Sequence, residues 1–150
     1  MNIGDAARAS GVSAKMIRYY ENVDLMPRAG RTEAGYRIYR DQDVDTLRVI
    51  RRARDFGVPM DRGKLLVNLW HDKDRSSRQV KAIALRQVTD LEAKIAELTA
   101  MKDALADLAD ACHGDSPDCP ILRDLSDIAA TPVHPKPPSR ARRPMAQHLA

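Results

Sequence analysis

The chain has two cysteines, and both lie in one short segment, Cys112-His113-Gly114-Asp115-Ser116-Pro117-Asp118-Cys119-Pro120. Thiolates are soft ligands. Two of them on a tight, turn-rich loop suit a soft ion that accepts low coordination, which means Cu(I), Ag(I) or Au(I). Zn²⁺ normally takes four ligands, more than two cysteines supply. Two thiolates around a monovalent cation keep a net negative charge. Helix N-termini expected near Ser77 and Pro120 would stabilise that charge, each by about 0.3–1 kcal/mol at an exposed site. A divalent ion between the same thiolates would be neutral and gain nothing from them. His113 directly follows a cysteine and is expected to point away from the same ion. Asp115 and Asp118 fit a role in organising the turn through side-chain-to-backbone bonds. The same pair of thiols supports a second reading, a redox sensor with a reversible Cys112–Cys119 disulfide. Nothing converges on the cysteines as an acid, a base or a Gly-rich phosphate loop, so an enzyme is not expected.

A different chemistry lies at the other end. Residues 1–55 hold 11 Lys/Arg against 8 Asp/Glu, residues 56–130 hold 10 against 13, and residues 131–150 hold 4 against none. A basic N-terminal segment is the electrostatic footprint of phosphate binding. Ala6, Ala7 and Ala9 before Gly11 fit a short helix ended by glycine. Ser13 is a good N-cap for a second helix, Ala14 to Glu21. Helix, short turn, helix is the layout of a helix-turn-helix. Lys15, Arg18 and Tyr19 lie within one turn and can face a groove together, while Met16, Ile17 and Tyr20 fill the other side. Pro27, Gly30 and Gly35 then break helix, and Tyr36-Arg37-Ile38-Tyr39 alternates. This predicts a small β-hairpin, or wing, carrying Arg28, Arg31, Arg37 and Arg40.

Between the two ends lie the elements that must position them. Asp41 is placed to cap a helix through Val44, Leu47, Val49 and Ile50 that ends near Gly57. Pro59 opens another through Leu65, Leu66, Leu69 and Trp70. Residues 76–111 are the longest periodic stretch. Ala84, Val88, Leu91, Ile95 and Leu98 follow heptad spacing, and Leu105, Leu108 and Cys112 resume it after Lys102. Such a helix would be about 50 Å long at 1.5 Å per residue. A small domain cannot cover its apolar stripe, so a partner helix from a second subunit is the economical solution. No run of 18 apolar residues exists, and Met1-Asn2-Ile3-Gly4-Asp5 lacks the features of a signal peptide. A cytoplasmic protein with no membrane partner is expected. From Thr131 the chain is rich in proline and arginine (Arg140, Arg142, Arg143), a composition typical of an extended or disordered tail. His71, His134 and His148 are scattered and expected at the surface.

Taken together, residues 1–126 resemble the MerR family of transcriptional regulators, and within it the copper-efflux regulators of the CueR/HmrR type. The resemblance rests on Ile17-Arg18-Tyr19-Tyr20-Glu21, on Gly35-Tyr36-Arg37-Ile38-Tyr39, on the long helix, and on Cys-His-Gly-Asp followed by Pro-Asp-Cys-Pro-Ile. It implies a mainly α fold: a winged helix-turn-helix DNA-binding domain (1–72), a dimerisation helix pairing in an antiparallel coiled coil (73–111), a metal-binding loop with a short helix (112–127), and a basic Pro-rich tail (128–150). It implies a homodimer on double-stranded promoter DNA, working with RNA polymerase and activating metal-efflux genes by DNA distortion when metal binds. Lys15, Arg18 and Tyr19 fall where the family's recognition helix meets the major groove. Tyr36 and Arg37 fall where the wing grips the backbone, and Arg31 and Arg54 match further backbone contacts. Tyr20 and Tyr39 are expected in packing instead. Cys112 and Cys119 fall at the metal ligands. Ser77 falls where divalent-metal members carry a cysteine, and in the family it overhangs the partner subunit's site. Copper-type members usually have seven residues between the cysteines, and here there are six.

Overall fold

Local sequence signals set the boundaries of the first two helices. The computed structural model describes residues 1–115, 117–130, 132 and 133. Helix α1 spans Ile3–Ser10, and Asn2 caps it by accepting the Asp5 N–H at 2.9 Å. Gly11 ends it with φ +71°, a left-handed conformation that a side chain disfavours. A Cβ at Gly11 would also collide with the Arg51 guanidinium. Ser13 accepts the Met16 N–H at 3.2 Å and starts α2, Ala14–Asn22. The wing follows as two short antiparallel strands, β1 (Gly30–Arg31) and β2 (Arg37–Ile38), with Gly30 opposite Ile38 and Arg31 opposite Arg37.

Helix α3 spans Asp41–Asp55 and α4 spans Met60–His71. The N-cap of α3 is Arg40 rather than Asp41, and the Asp43 carboxylate accepts the Arg40 N–H at 2.8 Å. Val44, Leu47 and Ile50 of α3 pack with Ala6, Ile17, Tyr20 and Tyr39 in the core. The α1 carbonyl end is closed from α3. Arg48 Nε and Nη2 donate to Ala9 O at 3.2 and 3.0 Å. In α4 the buried residue is Val67, Leu66 and Leu69 are half-buried, and Leu65 and Trp70 are exposed. Val49 of α3 is half-buried.

Helix α5 runs Ser77–Ala111 and α6 runs Pro120–Ser126. The structure divides into two units, Met1–Thr89 and Asp90–Ala150, so the boundary falls inside α5. The start of α5 belongs to the first unit for a specific reason. Gln87, the one buried residue of this helix, donates to Phe56 O at 2.8 Å and accepts from Arg62 Nη1 at 3.2 Å. Elsewhere the apolar seam faces outward: Val88, Leu91, Ile95, Leu98 and Leu105 are between 39% and 63% exposed. The tail from His134, with His148 and the arginines at 140, 142 and 143, lies outside the described residues, as does Ser116.

Candidate DNA interface and metal loop

The second helix has two chemically different faces. Ile17, Tyr20 and Glu21 are buried, while Lys15, Arg18 and Tyr19 are exposed on the opposite side. Two cations and an aromatic on one exposed turn match phosphate and base-edge contact in a major groove. Tyr20 packs as expected, and its hydroxyl accepts from Arg54 Nη1 at 2.6 Å. Arg54 is thus tied to the recognition helix from α3.

The wing is held by short-range bonds. Thr32 N–H donates to Tyr36 O at 2.8 Å, Gly35 N–H donates to Thr32 O at 2.8 Å, and Tyr36 N–H donates to Thr32 Oγ1 at 3.1 Å. Gly35 takes φ +84° to make this turn. Arg31 Nη1 donates to Gly35 O at 2.9 Å, bracing the loop it flanks. Tyr36 stands 74% exposed at the tip, an aromatic with almost no packing of its own.

Arg37 sits differently. Its Nε lies 3.1 Å from Glu21 Oε2, and Glu21 is buried. Glu21 Oε1 also accepts from Tyr39 Oη and from the Ala29 N–H, each at 3.0 Å. Burial, followed by the hydrogen bond to Glu21, pushes the Tyr39 pKa up to about 12. Of the residues singled out by sequence, Lys15, Arg18, Tyr19, Arg31 and Tyr36 are exposed at the surface, while Arg37 and Arg54 are engaged within the unit. A cleft of about 250 Å³ between the end of α2 and the wing is lined by Arg28, Arg31 and Arg37 together with Glu21. Sequence reasoning passed over Glu21 as a site residue. Its signal was the spacing Ile17, Tyr20, Glu21, which puts a carboxylate on the buried face of a helix.

At the other end, Cys112 follows directly after α5 and its N–H donates to Ala109 O at 3.1 Å. Gly114 takes φ +76° and turns the chain. Cys119 is the residue before α6, with Pro120 in the first helical position. Both thiols are free and half-buried. The Leu122 N–H, then those of Ile121 and the Cys112 thiol, stabilise the Cys119 thiolate and hold its pKa below the usual thiol value. The loop therefore brings its two thiols together at a helix start. Asp118 pairs with Arg123 across the first turn of α6. His113 and Asp115 are exposed. Among the described residues no group of three His, Cys, Asp or Glu side chains gathers to hold a metal. Ser77 is exposed at the first position of α5.

Comparison with known proteins agrees with this geometry. The MerR HTH family regulatory protein model matches residues 1–68, and the MerR DNA-binding model matches residues 44–108. Heavy metal-dependent transcription regulator 2 of Rhizobium meliloti (strain 1021) is 51% identical over 131 residues, covering 87% of this chain and 89% of that protein. The HTH-type transcriptional regulator CueR of Escherichia coli O157:H7 is 42% identical over 127 residues, covering 84% of this chain and 94% of its own length. Among solved structures, the transcription regulator PbrR691 from Ralstonia metallidurans CH34 in complex with Lead(II) has a TM-score of 0.73 at 28% identity, covering 84% of this chain and 99% of that one. The chain belongs to the MerR family of helix-turn-helix regulators, which are DNA-binding transcription regulators and not enzymes. No helix among the described residues is long and apolar enough to cross a membrane.

Proposed function

We propose that this chain is a cytoplasmic, metal-responsive transcription activator that binds promoter DNA as a homodimer and answers to Cu(I), or to Ag(I) or Au(I). The observation that carries the reading is the pairing of Cys112 and Cys119. Two free thiols lie on one short loop at a helix start, one of them already biased toward thiolate. That donor set fits a soft, two-coordinate monovalent ion and falls short of the four ligands of a structural Zn²⁺ site. Ser77 adds no thiolate. The metal when bound supplies a charge and a crosslink between the end of α5 and the start of α6. The chain's own part is to present both sulfurs and to stabilise the remaining negative charge with backbone N–H groups at the start of α6.

The exposed seam of α5 supports the homodimer, because one copy leaves Leu91, Ile95 and Leu98 in water. Lys15, Arg18 and Tyr19 take the major groove. Arg31 and Tyr36 take the sugar-phosphate backbone, joined by the outward N–H groups of Arg37 and Arg54. Activation then acts on promoter geometry in concert with RNA polymerase. The domain limits follow: DNA binding in 1–72, dimerisation in 73–111, metal loop and short helix in 112–127. The kinship with heavy metal-dependent and CueR regulators favours metal over a reversible disulfide as the signal. An anaerobic Cu(I) titration of the purified protein, read by X-ray absorption, tests this. One ion per loop with two short Cu–S distances is expected. A shell dominated by nitrogen or oxygen would contradict it.

A further inference from the structure

We propose that Glu21 is a positioning residue for DNA binding: its buried carboxylate fixes the wing against the recognition helix. Glu21 is 2% exposed and lies in α2 three residues after Arg18. Its three donors come from three places around the hairpin. Ala29 precedes β1, Arg37 lies in β2, and Tyr39 follows β2. One side chain therefore ties both flanks of the wing to the helix that carries Lys15, Arg18 and Tyr19.

The wing needs such a tie. Its ladder has two residues per strand, and an isolated two-stranded hairpin is marginal in water even when longer. Bonds to an ionised acceptor are stronger than neutral ones, and the low dielectric of a buried site strengthens them further. Charge alone argues the other way. A carboxylate beside a phosphate-binding surface opposes DNA, so removing it should tighten binding if electrostatics were its only effect. The two accounts predict opposite signs, which makes Glu21 testable.

The inference rests on placing α2 and the wing at the DNA. The probe is a duplex selected by the wild-type protein from a random pool. Glu21→Gln keeps the shape and the acceptor oxygen, and removes one negative charge. Binding is expected to weaken on the order of tenfold, the loss of about one charge-assisted hydrogen bond. In hydroxyl-radical footprinting, protection under the wing should fade while protection under the recognition helix persists. Tighter or unchanged binding would overturn the proposal, as would a uniform loss of both protections. If Glu21→Gln fails to fold by circular dichroism, Tyr39→Phe withdraws one of the three donors and should give a smaller loss in the same place. An unchanged wing footprint in that variant would overturn it equally. Arg18→Ala serves as the control. It should lose recognition-helix protection and keep the wing's. If it instead binds like wild type, the interface assignment fails, independently of Glu21.

Discussion

The N-terminal unit and the outer length of α5 meet the same demand in opposite ways. Both must remove apolar side chains from water. The N-terminal unit does so internally, with its buried hydrophobic core drawn from residues between Ala6 and Val67. Its polar groups are equally self-contained: Glu21 has three donors, Arg48 closes α1, and Arg54 meets Tyr20. Helix α5 has one buried residue, the polar Gln87, and an outward row of leucine, isoleucine and valine. A unit that satisfies itself can present a rigid surface to DNA. A helix that does not leaves its apolar row to be covered, under the proposed function by a second copy. The cysteine loop follows that helix directly.

The comparison breaks first at the seam. Leu91→Glu combined with Leu98→Glu places charges where a partner helix should pack, and burying such charges unpaired costs several kcal/mol. Sedimentation should then report monomer, while the circular dichroism of the N-terminal unit stays helical. A stable dimer would move the interface elsewhere. A smaller effect is expected from Arg37→Ala, which strands the buried Glu21 carboxylate without its cation. Arg37 is one-third exposed, so solvent softens the loss to about 1–3 kcal/mol. Thermal unfolding should show this for Arg37→Ala and almost nothing for Arg31→Ala, whose bond to Gly35 O is local to the wing.

The smallest expected effect is a dependence on pH. The folded Tyr39 pKa lies above its ordinary 10.0, at about 12. Its neutral hydroxyl therefore contributes fully below pH 10, and that contribution fades as pH rises through about 12. Wild type and Tyr39→Phe should differ in stability at pH 8 and converge at the alkaline end. Parallel curves across that range would show that the hydroxyl does not titrate in contact with Glu21.

Much of the architecture was legible because its signals are local. Gly11 and Ser13 mark a helix end and a helix start by their own chemistry, and the heptad spacing of α5 needs only counting. What was not legible depends on who faces whom across the fold. Arg37 and Arg54 read as free cations in sequence, yet each meets a partner on α2 that is distant in the chain. Glu21 read as the polar end of a helix, although its spacing from Ile17 already placed it inward. In α4 the pattern of Leu65, Leu66, Leu69 and Trp70 marked a helix, and the structure has one there, but not which residue would be buried in the core. Val67 enters the core, while Leu65 and Trp70 stay exposed. The two cysteines were legible as a pair. The bias of Cys119 toward thiolate needed the start of α6 to be drawn.

The central claim is a division of labour: the N-terminal unit binds DNA, and the cysteine loop supplies the response. The most direct test measures promoter occupancy and transcript output together, with and without Cu(I), in wild type, Cys112→Ser and Cys119→Ser. Both variants should occupy the promoter as wild type does and show no copper-dependent rise in transcript, because a linear two-thiolate site needs both sulfurs. Loss of occupancy in either variant, or full induction with one cysteine, would contradict the account.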